Sequence, residues 1–321
     1  MNQHSIYLPI ISNQQLSLKK LFSDYGIQFG FGVSPGAFRE NSVKRQLIID
    51  HAAIGAITNS SKMYKTQPEK GIYDFIGIEE IVISSGELGI DVYGHALSWH
   101  MQNPDWLYVG GFSKEELAII LSDHVKHVSH YMKGKVICLD VANEAWIRPD
   151  GGVFGGPWQS LDEDYVTISF ESSVVKPLYN SFFPHPEHEF AKALDLVERG
   201  IAQAIGIQLH VWDGSYMVTL AHTRNLLDQI RANGGWCRFS EISVLATTGQ
   251  SQADNDWRQS VIYAAIVALA IEYADIVRHV IVWDIKDPGW RGDKDHGVTL
   301  FTREGAPKPS YYAVVEELKN G

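Results

Sequence analysis

Cysteine is scarce in this 321-residue chain: Cys138 and Cys237 are the only two, which excludes a disulfide framework and a four-cysteine zinc site. Each lies in an apolar, strand-like run, 136–139 and 236–239, so both are expected as buried free thiols. Positive charge is short as well. Against 38 Asp and Glu stand 27 Lys and Arg, a formal net charge of −11. Such a surface repels nucleic-acid backbones and anionic membranes, so neither is expected as a partner. No uninterrupted apolar run approaches the roughly 20 residues that span a bilayer. The run Ile6-Tyr7-Leu8-Pro9-Ile10-Ile11 is short and broken by proline, and no basic segment, apolar core and cleavage site follow one another. The expectation is an intracellular chain, or a secreted one if this is a mature form. Pro/Ser-rich linkers and low-complexity breaks are also missing, so one catalytic domain over residues 1–321 is expected.

What is there is a recurrent pattern. Strand-like runs are read at Ile27–Val33, Ala52–Thr58, Ile90–Trp99, Val136–Ala145, Val175–Phe182, Ile205–Trp212, Trp236–Val244 and Val280–Ile285. Between them, apolar residues recur at spacings of three and four, the mark of helices with one buried stripe. The clearest helix starts at Ser113, where Glu116 completes a capping box. It carries Leu117, Ile120, Leu121, Val125, Val128 and Met132 inward and ends at Gly134. Others are read from about Asp256, with Val261, Ile262, Ala265, Ile266, Leu269 and Tyr273 on one face, and over Thr223–Ala232 before Asn233-Gly234-Gly235. Strands alternating with helices imply parallel βα units, and eight of them imply an α/β fold, a single (β/α)8 TIM barrel. An open doubly wound sheet is disfavoured because no Gly-x-Gly-x-x-Gly loop follows the first strand.

In such barrels function gathers at the C-terminal ends of the strands. Those ends carry Asn59 and Lys62; His95, Trp99, His100 and Gln102; Asn143, Glu144 and Trp146; Tyr179 and Asn180; Gln208 and His210; Glu241; and Trp283, with Trp290 beyond. Amides, imidazoles and a lysine suit the hydroxyl rim of a sugar, and indoles suit its apolar faces. Two carboxylates, Glu144 after Val141-Ala142-Asn143 and Glu241 after Arg238-Phe239-Ser240, interrupt strands expected to be otherwise buried and can converge over the mouth. Retaining glycoside hydrolysis needs such a pair about 5–5.5 Å apart, one to protonate the leaving oxygen and one to attack the anomeric carbon. A single Glu at a strand end would more often be a loop salt bridge; two on converging strands favour catalysis. Gln208 and His210 are two apart and share a face, from which His210 can reach Glu241. No cofactor or metal is expected: no His-Glu-x-x-His occurs, and His124, His127 and His130 read as a solvated helix face.

In order, these segments resemble glycoside hydrolase family 10, the retaining β-1,4-xylanases. The run Tyr93 to Trp106 is similar to the family's G-H-x-L-x-W-H-x-Q-x-P-x-W, and Asp140-Val141-Ala142-Asn143-Glu144-Ala145 to its D-V-x-N-E-A. Gly206-Ile207-Gln208-Leu209-His210 is similar to G-x-Q-x-H, Ser240-Glu241-Ile242 to T-E-L, and Pro307-Lys308-Pro309-Ser310-Tyr311 to P-K-P-x-Y. Trp283 through Trp290-Arg291 resembles the tryptophan-rich end of strand eight. The likeness runs from about Phe29 to the C-terminus. It implies an endo-β-1,4-xylanase-like enzyme working by double displacement on a xylan-like polysaccharide or oligosaccharide. Glu144 would be the acid/base and Glu241 the nucleophile. His95, Asn143, Gln208, His210 and Trp283 would line the −1 sugar, and Lys62 and Trp99 would face the glycone. Alternatives are a β-glycosidase for a different β-linked glycan or short oligosaccharide, and a glycan-binding barrel with reduced catalysis.

The chain departs from the family in three places. Asn59 and Lys62 keep the Asn-x-x-Lys spacing, but Thr58 stands where the family has a Glu that helps hold the −2 sugar. The family's Tyr-Asn-Asp reads Tyr179-Asn180-Ser181, and its Glu-x-Asp reads Glu241-Ile242-Ser243. A hydroxyl supports a neighbouring imidazolium less well than a carboxylate does. The expected outcome is a displaced pH optimum with the chemistry retained. A pH–rate profile that superimposes on that of a Glu-x-Asp family member would refute it.

Overall fold

The computed structural model describes residues 16–162, 164–183, 186–289 and 296–321. The eight strands are β1 (Gln28–Val33), β2 (Ile54–Ile57), β3 (Asp91–Ser98), β4 (Leu139–Asn143), β5 (Pro177–Ser181), β6 (Ala204–Trp212), β7 (Cys237–Leu245) and β8 (Val277–Val282). Each pairs in parallel with its neighbours in sequence, and β8 closes on β1. The principal helix after each strand is, in turn, α1 (Val43–His51), α2 (Ile76–Glu87), α3 (Lys114–Met132), α4 (Asp164–Ser172), α5 (Ala191–Glu198), α6 (Tyr216–Ala232), α7 (Gln252–Glu272) and α8 (Pro309–Asn320). This is the expected (β/α)8 barrel. Among the described residues no helix is long and apolar enough to cross a membrane.

Several expectations need adjustment. Strands β2 and β4 are shorter than read, because their flanking residues belong to turns. Helix α6 begins at Tyr216 rather than Thr223; its first turns leave Met217 and Val218 exposed, so no buried stripe announces them. Helix α7 starts at Gln252, where the Ser251 side chain accepts from the Asp254 N–H. Helix α3 has its capping box at Ser113 and Glu116, and Gly134 follows it at φ +77°. Its histidines do not form a common solvated face: His127 and His130 are exposed, but His124 is buried. The reason is spacing, since 121, 124, 125 and 128 follow one helix face inward. The His124 ring, held neutral by burial at about 3, meets the Gln67 side chain at 3.0 Å. Both cysteines are buried free thiols, as expected.

Two apolar layers follow from the closed sheet. Most buried residues pack between strands and helices, while Ile54, Ala56, Tyr93, Cys138, Leu178, Ala204 and Ile281 form a separate cluster. That cluster lies inside the barrel, because Ile54 and Ala56 are two apart on one strand and share a face. Three contacts cross this interior from β3 and β4 to β7: Arg238 with Asp140, Arg238 over the Tyr93 ring at 3.7 Å, and Tyr93 Oη donating to the Ser240 carbonyl at 3.3 Å.

The upper part of the barrel is shaped by bulges. On β7, Phe239 pairs with Ile207 and Glu241 with Gln208, so Ser240 is an extra residue. On β4, Asp140 pairs with Leu178 and Ala142 with Tyr179, so Val141 is another. Strict alternation would send residues three apart to opposite faces. With one extra residue each, Arg238 and Glu241 on β7, and Asp140 and Asn143 on β4, all point inward.

Candidate active site

A cavity of about 670 Å³ opens over this end of the barrel. Its lining includes Asn59, Lys62, His95, Trp99, Gln102, Asn143, Glu144, Gln208, His210, Glu241 and Trp283. Of the remaining site expectations, Trp290, with Arg291, falls outside the described residues. Tyr179 is placed elsewhere. It neighbours Asn180 on β5, so the two side chains leave the strand on opposite sides; Asn180 turns into the site and Tyr179 is fully buried beside Trp146.

Glu144 directly follows β4 at φ +51°, a left-handed conformation that costs a non-glycine residue roughly 1–3 kcal/mol. Its backbone N–H still donates to the Asn180 carbonyl at 2.9 Å, so the strand's ladder holds the turn. One carboxylate oxygen accepts from Gln208 Nε2 at 2.8 Å and the other from Trp99 Nε1 at 3.0 Å. Burial, and then the charge of Glu241, raise its pKa above the usual range, with the two donors pulling back.

Glu241 has the opposite surroundings. Asn180 Nδ2 donates to it at 2.9 Å, His95 Nε2 lies 3.6 Å away and His210 Nε2 3.4 Å away. Burial alone would raise its pKa, but His95, His210 and Lys62 outweigh burial and bring it down to about 2. His210 Nδ1 meets Ser243 Oγ at 2.7 Å, so the serine occupies the place expected of it beside the histidine. His95 Nδ1 meets Asp140 Oδ2 at 3.0 Å, and its ring stands edge-on to Trp283.

Amides join the two carboxylates. Asn143 Oδ1 accepts from Gln208, which also holds Glu144, and from Asn180, which also holds Glu241. With its oxygen so occupied, Asn143 has its Nδ2 left to donate. Gly206 makes this possible: a Cβ there would fall 2.1 Å from Asn180 Oδ1. Lys62 donates to Gln102 and lies 4.7 Å over the Trp99 ring. Burial lowers its pKa to about 8, against the attraction of Glu241 and Glu144. Thr58 donates its hydroxyl to the Val33 carbonyl at 3.1 Å, so it supplies no carboxylate to this wall. Lys44 and Asp284 line the same cavity as an ion pair at 3.1 Å.

Of the pair read at the end of β5, Asn180 is the one in the site. Sequence reasoning missed Asp140, Arg238 and Glu189 as parts of this region; Glu189 had a signal in Ser181. Where the family has Asp, Ser181 donates to Glu189 Oε1, which also accepts from Tyr179 Oη at 3.0 Å. Tyr179 Oη in turn accepts the Ala145 N–H at 2.9 Å, next to Glu144.

Two carboxylates held in opposite protonation preferences over a parallel (β/α)8 barrel, among amides, imidazoles and indoles, define a glycoside hydrolase. Glycosyl hydrolase family 10 matches residues 17–317, and the chain belongs to that family. It is similar to an endo-1,4-beta-xylanase of Geobacillus stearothermophilus, 27% identical over 93% of this chain and 98% of that protein. Endo-1,4-beta-xylanase A of Caldicellulosiruptor saccharolyticus is 26% identical over 94% of this chain and 95% of its own length. Among solved structures, xylanase 10B from Thermotoga petrophila RKU-1 in complex with xylobiose superposes with a TM-score of 0.85. That alignment is 25% identical and covers 96% of this chain and 98% of that one.

Glu189 generates a test. Burial, which the Ser181 and Tyr179 donors only partly offset, pushes its carboxyl up to about 7. A carboxyl that binds its proton more tightly when folded favours the fold fully below pH 4.5, and that contribution is lost as pH rises through 7. Glu189→Gln removes this loss, so its stability relative to wild type should rise between pH 4.5 and 7.5, by on the order of 3 kcal/mol. Denaturant midpoints that stay equally spaced across that range would contradict it.

Proposed function

We propose that the chain is a retaining endo-β-1,4-xylanase in which Glu144 is the acid/base and Glu241 the nucleophile. The observation that carries this reading is the contrast between the two carboxylates. Glu241 is held as an anion, and Glu144 is held with a raised proton affinity. Glu144 donates its proton to the glycosidic oxygen as the C–O bond breaks, and Glu241 attacks the anomeric carbon to form a glycosyl ester. Formation of the ester removes the Glu241 charge that raises the proton affinity of Glu144. Glu144, having given up its proton, then stays ionised and takes a proton from water, which attacks the same carbon and frees Glu241.

A xylan-like chain of β-linked sugars is the proposed substrate. Asn143, Gln208 and His95 would meet hydroxyls of the −1 sugar, Trp283 its apolar face, and Lys62, Gln102, Asn59 and Trp99 the glycone. The names of the relatives support xylan, as does the bound xylobiose of the Thermotoga petrophila enzyme. A second reading, a β-glycosidase for another β-linked glycan, is favoured by Thr58, whose hydroxyl is spent on Val33 and offers the −2 sugar no carboxylate.

Product profiles on xylan, β-glucan and aryl xylosides separate the two readings. Short xylooligosaccharides from xylan, released first as β-anomers, are expected. Glu144→Ala should slow xylan cleavage by about 10²–10⁴-fold, and aryl xylosides with good leaving groups by less. Glu241→Ala should abolish turnover on both; cleavage that persists in it would refute the nucleophile assignment.

A further inference from the structure

We propose that Arg238 is a positioning residue of this site, acting through Asp140 and His95 on the carboxylate of Glu241. The inference rests on the reading of Glu241 as nucleophile and adds to it a residue one layer below the cavity.

Arg238 does not line the cavity; its side chain is fully buried in the barrel interior. It lies across the barrel from Asp140, with which it forms an ion pair sealed from water on both sides. The other oxygen of Asp140 meets His95 Nδ1 at 3.0 Å, and His95 Nε2 lies 3.6 Å from Glu241 Oε1. A chain of charged and hydrogen-bonding groups thus runs from Arg238 through Asp140 and His95 to the Glu241 carboxylate. A second route starts at the same guanidinium. It stacks 3.7 Å over Tyr93, whose hydroxyl donates to the carbonyl of Ser240, the bulge residue immediately before Glu241.

Stability alone accounts poorly for a charge in this place. An apolar cluster that includes Ile54, Leu178 and Ile281 fills the same barrel interior. Buried ion pairs are commonly no more stabilising than apolar residues of the same volume. Among the described residues Arg238 Nε also has no hydrogen-bond partner. The charge has a clear use, however. A carboxylate sealed in an apolar shell takes up a proton unless a cation balances it. With the guanidinium beside it, Asp140 accepts the Nδ1 proton of His95 and so orients the ring, leaving Nε2 toward Glu241.

The other titratable groups are distributed around this chain. Tyr93 on β3, Cys138 before β4 and His279, the register partner of Arg238 on β8, surround the guanidinium. His210 on β6, Lys62 after β2 and Glu144 after β4 surround Glu241. Asp140 is the group that links the two sets through His95.

The test compares wild type with Arg238→Lys, Arg238→Met and the double variant Arg238→Met/Asp140→Asn, after melting curves have established which fold. Two readouts are taken: the acid limb of kcat/KM on an aryl β-xylobioside, and the downfield Nδ1–H resonance of His95 by NMR without substrate. Arg238→Lys keeps the charge and should keep both. Arg238→Met and the double variant should lose the resonance and move the acid limb to higher pH, on the order of one unit. The double variant leaves neither charge unpaired, so it carries the test if Arg238→Met does not fold. An unmoved acid limb in either folded uncharged variant, or an Arg238→Met that keeps the His95 resonance, overturns the proposal. A wild-type chain that keeps the resonance but cleaves no xyloside refutes the xylan substrate instead, and the proposal is then judged on the resonance alone.

Discussion

Glu241 must hold a negative charge in a place from which water is nearly excluded. A lone buried carboxylate there would take up a proton, because desolvation penalises the charged form. The site answers with donors and cations from almost every side: Asn180 from β5, His210 from β6, His95 from β3 and Lys62 after β2. Glu144 answers to the same field with the opposite sign. It lies close enough to Glu241 for that charge to raise its own proton affinity, and its neighbours Gln208 and Trp99 are neutral donors. One arrangement therefore produces both the raised proton affinity of Glu144 and the lowered one of Glu241, and neither carboxylate could be tuned independently.

The backbone makes that arrangement possible by breaking its own rule. Alternation along β7 would aim Arg238 and Ser240 inward and Glu241 out among the helices. The bulge at Ser240 corrects this, and the bulge at Val141 does the same for Asn143 above Asp140. The barrel thus has a lower layer containing the Asp140 and Arg238 pair and an upper layer containing the cavity residues. His95 connects them. Glu144 is then swung over the mouth by its left-handed backbone, secured by the Asn180 carbonyl.

Much of this was legible in the sequence. Strand-like runs separated by amphipathic helices predict the barrel, because period-two and three-to-four patterns report which faces are buried. The polar residues at strand ends are legible because they interrupt apolar runs, and Gln208 and His210 show a shared face by spacing alone. Bulges carry no such mark, so the inward turn of Glu241 could be inferred only from its neighbours' chemistry. Tyr179 was misread by treating two adjacent strand residues as both facing the site. His124 was misread because three histidines in a row of threes look alike until the apolar stripe is followed through Leu121, Val125 and Val128. The Arg238 pairing with Asp140 spans 98 positions and leaves no local trace.

The most direct measurement is a carboxyl carbon NMR titration of the chain labelled at glutamate, with Glu144 and Glu241 assigned by substitution. The two resonances should part widely: Glu241 ionised down to about pH 2, and Glu144 changing state above the usual carboxylate range. On Glu241→Gln, the Glu144 midpoint should fall, since the charge that raises it is gone. Two resonances that titrate together near the ordinary value, with no response of one to the loss of the other, would contradict the division of roles between these carboxylates.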